Sequence, residues 1–156
     1  MSKDQKIKPS KLTAHTGFWM RLVSNSVSYA FAQKLEGCSV TVAEWVVLRE
    51  MYDGDNETSP SVIADLTGLS RGAISKLITR LLEKGLVNRN ESTDDRRYQS
   101  VRLTAKAKGL VPRLAALADE NDEDFFSVLS KSERQQLSDL LKKLAREHQI
   151  KTVPTE

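Results

Sequence analysis

Two groups of side chains in this 156-residue chain have the types and spacing to hold a polyanion. The first is Ser70, Arg71, Gly72, Ser75, Lys76 and Arg80, which fall on the first turns of a predicted helix. A serine at a helix start leaves early amides for a phosphate, aided by the positive end of the helix dipole. Glycine at the second position lets another backbone approach closely. The cations and hydroxyls can hydrogen-bond to base edges or phosphates, and a bidentate arginine–guanine contact discriminates bases by roughly 1–3 kcal/mol. Which of them would read bases and which would hold the backbone is left open by the residues alone. The second group is Asp94-Asp95-Arg96-Arg97, at the tip of a predicted hairpin. Two arginines there suit a minor groove, where negative potential is focused. A neighbouring aspartate suits an intramolecular brace better than a phosphate contact. A solvated, salt-bridged charged turn would produce the same pattern without any partner.

Other chemistries find little support. One cysteine, Cys38, cannot form an intramolecular disulfide and has no adjacent cation in sequence to activate it. Two histidines, His15 and His148, give no structural-zinc spacing, so neither metal nor cofactor is expected. No set of nucleophile, base and orienting group emerges, and phosphate-cradling glycine loops are missing, so the chain is read as no enzyme. A second possible site is aromatic: Phe18, Trp19, Leu22, Trp45 and Arg49 could hold a small aromatic or anionic effector by stacking and charge. The same residues serve equally as core or interface aromatics.

Charge is distributed unevenly. Between Ser70 and Lys106 nine cations face four anions, a net +5, whereas the whole chain carries +3. Asp119, Glu120, Asp122, Glu123 and Asp124 form an acidic stretch further on. Such concentration suits a surface facing phosphates. The 39% hydrophobic content is modest beside 29% charged residues, which suggests a helical protein completing its core by pairing with a second copy. The polar, lysine-rich start lacks an apolar signal-peptide core and no apolar run reaches membrane-spanning length, so a cytoplasmic protein is expected.

The elements that must position these residues are legible from caps and periodicity. Residues 1–10 are too polar to order. A helix is predicted over about Leu12 to Leu35, ended by Gly37. Thr41-Val42-Ala43-Glu44 is a capping box opening a second helix, which stops at Asp53-Gly54-Asp55-Asn56. Ser59-Pro60 starts a short third helix. After the turn at Gly68, Ser70 caps the next, from Arg71 to about Lys84. Leu86–Arg89 and Ser100–Leu103 alternate as hairpin strands. Helix returns from Thr104, with a bend expected at Pro112. The capping box Ser130–Glu133 opens a last helix with Leu137, Leu140, Leu141 and Leu144 on one face.

A short helix, a glycine turn, a capped basic helix and a basic hairpin, in that order, make a winged helix-turn-helix. In that motif the second helix enters the major groove, braced by the first. The run Ile63-Ala64-Asp65-Leu66-Thr67-Gly68-Leu69-Ser70-Arg71, then Glu83-Lys84-Gly85-Leu86, then Asp95-Arg96-Arg97 with Val101-Arg102-Leu103-Thr104, resembles the MarR family of transcriptional regulators over roughly Leu12 to His148. Leu82 and Gly72 depart from it, standing where the family often has glutamate and Ser or Thr. The resemblance implies a mainly α fold with a small β-hairpin wing. It divides one domain, 11–156, into a DNA-binding lobe at 41–104 and helical dimerisation segments at 11–37 and 105–150. It also implies a homodimer on a pseudo-palindromic duplex, acting as a repressor released by an effector. Asp95 would brace the wing and Arg97 would enter the minor groove. The competing reading is a winged helix used for protein or RNA contact, since fold does not fix function.

Overall fold

A computed structural model describes residues 7–54, 57–91 and 99–156. A short 3-10 helix at Leu12–Ala14 is followed by α1 (Thr16–Glu36), α2 (Val42–Tyr52), α3 (Pro60–Thr67) and α4 (Arg71–Glu83). The hairpin β1 (Val87–Glu91) and β2 (Gln99–Leu103) leads into α5 (Ala105–Phe126) and α6 (Lys131–Glu147).

Local chemistry accounts for most boundaries. At α2 the Thr41 hydroxyl accepts from the Glu44 amide at 3.1 Å, and the Glu44 carboxylate accepts from the Thr41 amide at 3.1 Å. Ser59 caps α3 through the Val62 amide, and Pro60 sits where its missing N–H costs nothing. Gly68, at φ 71°, turns the chain out of α3 in the left-handed region that disfavours side chains. Ser70 then caps α4 through the Ala73 amide at 3.1 Å. Thr104 caps α5, and its hydroxyl donates to the Gly85 carbonyl at 2.8 Å, tying the hairpin base to the turn after α4.

The hairpin is antiparallel, with Val87 opposite Leu103 and Arg89 opposite Val101. Val87, Val101 and Leu103 are buried, as the two-residue side-chain period requires of one inward face. Thr58 adds a bridge to Val101, and Arg102 pairs with Glu57 beside it. The core beneath joins Leu35, Leu48, Ile63, Ile74, Ile78, Leu81, Val101 and Leu114. α1 and α5 are linked through the buried Asn121, whose amide donates to the Val27 carbonyl and accepts from Lys34.

The first helix begins later than its apolar spacing suggests. His15 is extended (φ −100°, ψ 125°) and separates the 3-10 turn from α1. Leu12 is 73% exposed, so no burial rewards continuing the helix through it. Pro112 lies inside α5, which runs unbroken from Ala105 to Phe126.

Two elements keep large apolar groups outside the core. α6 contains no buried residue, and Leu140, Leu141 and Leu144 are exposed along it. α1 exposes Trp19, Met20, Leu22 and Val23. No helix among the described residues is long and apolar enough to cross a membrane.

Candidate nucleic-acid interface

α4 is built with two faces. Ile74, Leu77, Ile78 and Leu81 are buried in the core, while Arg71, Gly72, Ser75, Lys76, Thr79 and Arg80 are exposed. The cap at Ser70 uses the hydroxyl for the Ala73 amide. The amides of the first turn ahead of it keep the helix's positive end, which favours an anion. A Cβ built on Gly72 would meet nothing within 4 Å, so bare backbone faces open space at that point. Ser75, Lys76, Thr79 and Arg80 line a shallow depression of about 410 Å³ on this face.

Among the described residues Arg71, Lys76 and Arg80 enter no salt bridge, as is also true of Arg21, Arg113, Lys142 and Lys143 on other helices, while Lys34, Arg49, Lys84, Arg102 and Arg134 each hold a carboxylate. Unpaired guanidinium and ammonium groups on an exposed helix can meet phosphates or base edges without first breaking an internal pair.

α4 is held from behind at its far end. Lys84 donates to the Glu44 carboxylate at 2.7 Å and to the Ser39 carbonyl at 2.8 Å. Glu44 is only 1% exposed and also closes the α2 capping box. One carboxylate therefore ties the start of α2 to the end of α4. Leu82, a departure from the resembled pattern, packs partly buried against the core.

The structure thus brings Ser70, Arg71, Gly72, Ser75, Lys76 and Arg80 onto one helix end and face. Thr79 joins them, a residue the sequence reading left out of the site although it stands four after Ser75. Asp95, Arg96 and Arg97 lie outside the described residues. The aromatic group is less unified. Phe18 stacks edge-on against Trp19 at 5.4 Å, and the Trp19 indole donates to the Thr13 carbonyl. Leu22 is exposed on the same helix. Trp45 instead packs on Phe31 at 6.4 Å, and Arg49 pairs with Asp53 at 2.6 Å and lies over Tyr52. None of the five lines the cavity of about 490 Å³ between α2, α3 and β2. Cys38 is partly buried against the core.

A model of the MarR family matches residues 39–97. Among solved structures, a probable transcriptional regulator from Pseudomonas aeruginosa is 25% identical, with 86% of this chain and 99% of that one covered and a TM-score of 0.75. BpsR of Bordetella bronchiseptica, whose DNA binding is regulated by 6-hydroxynicotinic acid, is 24% identical over 88% and 98% of the two chains, at a TM-score of 0.76. A mutant of MarR from E. coli complexed with operator DNA is 22% identical over 82% and 91%, at a TM-score of 0.73.

Proposed function

We propose that the protein is a homodimeric, sequence-specific regulator of transcription that binds double-stranded DNA, a reading supported by the MarR-family model that matches residues 39–97 and by a fold shared with MarR over 82% of the chain. The observation carrying this reading is the exposed face of α4, where a capped helix start, bare glycine backbone and three cations that pair with no carboxylate among the described residues coincide. A helix about 10–12 Å across fits the major groove, about 12 Å wide. Ser70, Arg71, Gly72, Ser75, Lys76 and Arg80 are assigned to that groove and its phosphates. Asp95, Arg96 and Arg97 are assigned to the wing, with Arg97 in the adjacent minor groove.

The partner is a second copy of the chain. Isolated apolar side chains on a surface are ordinary, but Leu140, Leu141 and Leu144 of α6 together with Trp19, Met20, Leu22 and Val23 of α1 supply exposed apolar surface that favours association. Two recognition helices related by a two-fold axis would read an inverted repeat, with half-sites about 34–36 Å apart along the duplex. Bound over a promoter, the dimer represses by excluding polymerase. The DNA binding of BpsR is regulated by 6-hydroxynicotinic acid. A small aromatic or anionic effector is assigned here too, held by Phe18, Trp19, Leu22, Trp45 and Arg49 once the second subunit covers α1. It acts by changing the helix spacing. No catalytic step is assigned to the chain.

Selection of bound fragments from random-sequence duplex DNA at near-physiological salt tests this. Enrichment of an inverted repeat with half-sites about one helical turn apart is the expected result. Salt-sensitive binding without selection removes the sequence-specific regulator. No binding at all makes a protein- or RNA-contact module the better reading.

A further inference from the structure

The segment after α6 returns to the DNA-binding lobe. Gln149 takes a positive φ of 54°, and the Ile150 amide reaches back to the Ala145 carbonyl at 2.9 Å, so the chain turns sharply off the helix. It then runs against the turn between α3 and α4. The Val153 amide donates to the Thr67 carbonyl at 2.8 Å. Thr152 lies so close to Gly68 that a Cβ there would stand 2.9 Å from the Thr152 Cα, nearer than real Cβ atoms come. Gly68 thus serves twice: its φ of 71° makes the turn, and its missing side chain admits the returning segment. Thr155 and Glu156 continue into a cleft of about 840 Å³ shared with Tyr29, Thr41 and Lys84.

This docking matters because of how α6 is otherwise held. No residue of α6 is buried. Its start is fastened by Arg134, which pairs with Asp122 and Glu123 and lies over the Phe126 ring at 5.9 Å. Between that anchor and Val153 the leucine face is open. We infer that residues 151–156 are a strap fastening α6 to the turn ahead of the recognition helix. Movement of α6 is thereby passed to α4 by a route separate from the β2–α5 junction. This rests on the DNA-binding dimer proposed above. There α6 belongs to the dimer frame, and the strap narrows the range of spacings between two recognition helices. Its effect falls on binding that needs both helices at once, and not on the contact of one lobe with one half-site.

The test has two arms, both on the full-length chain. Hydrogen exchange reports the strap without any DNA: the Val153 amide should exchange about tenfold or more slowly than its intrinsic rate. Exchange at the intrinsic rate overturns the strap. Val153→Pro removes the donor while leaving the α3–α4 turn itself unchanged. This variant should bind a selected inverted-repeat duplex about five- to tenfold more weakly, and a single half-site within about twofold of the unaltered chain. Equal losses on both duplexes, or none on either, overturn the coupling. Gly68→Ala, whose new methyl meets Thr152, should release Val153 to fast exchange, and retained protection there also refutes the strap. If the unaltered chain protects Val153 but binds no duplex, the coupling falls together with the function it rests on, and the strap stands.

Discussion

Replacing Lys84 with methionine keeps the aliphatic stem and deletes the ammonium group that joins α4 to α2. Two contacts vanish: the 2.7 Å bond to Glu44 and the 2.8 Å bond to the Ser39 carbonyl. Glu44, at 1% exposure, is left with the Thr41 amide as its remaining hydrogen bond among those made to it. A hydrogen bond to a charged group contributes about 1.5–3 kcal/mol, and breaking a fully buried ion pair costs about 3–5 kcal/mol. Lys84 keeps 36% of its side chain in water, so the buried-pair figure must be discounted for solvent screening. The expected loss is about 2 kcal/mol, which for a chain of this size lowers the melting temperature by about 4–8 °C. Urea unfolding followed by tryptophan fluorescence measures it, at fixed protein concentration because a dimer's stability depends on it. Glu44→Gln supplies the control, since glutamine retains the capping-box acceptor while removing the charge. In that background Lys84→Met should cost less by at least about 1 kcal/mol. A loss under about 0.5 kcal/mol with no coupling to Glu44 would refute the reasoning, and α4 would then be held by apolar packing alone.

Three further outcomes are expected. Lys76→Ala should weaken binding to all duplexes alike and reduce the slope of log affinity against log salt by about 1, whereas a base-reading Arg71 or Arg80 replaced by alanine should relax selectivity at one position by about 1–3 kcal/mol; salt titrations on matched and mismatched duplexes separate the two. Leu140→Glu with Leu144→Glu should turn the dimer into monomers at micromolar concentration, while Arg97→Ala should weaken specific binding and leave the dimer intact; sedimentation showing the reverse would overturn the division between wing and dimer region. The Glu133 carboxyl should titrate below its ordinary 4.5, because the Ser130 amide and hydroxyl hold its charged form. Its capping contribution to α6 is therefore full above the unfolded value and is lost as pH falls through the lowered folded one. A carboxyl-resolved NMR midpoint at or above 4.5 would show that the capping box does not form in solution.

The starts of α2 to α6 are readable because capping is local, whereas α1, without a side-chain cap, begins later than its spacing suggests. Thr41, Ser59, Ser70, Thr104 and Ser130 each bond an amide within three residues, so short-range chemistry decides them. The inward stripe of α4 and the alternation of the hairpin were readable for the same reason, since periods of 3.6 and 2 follow from backbone geometry. That left the polar face of α4 to carry the candidate site. What spacing could not tell was which apolar stripe finds a partner within its own chain. Leu12, Leu140 and Leu144 have helical spacing but stay exposed, because burial depends on what lies opposite. Glu44 looked like a cap alone. Its second role as the buried partner of Lys84, forty residues away, exists only once α2 and α4 are packed together. Likewise, nothing local in Lys151-Thr152-Val153 marks a strap. The sequence alone determined where the capped helices begin and which faces are polar, through contacts a few residues apart. The tertiary structure alone decided which distant groups meet, since those contacts depend on chain closure and packing that no local pattern encodes.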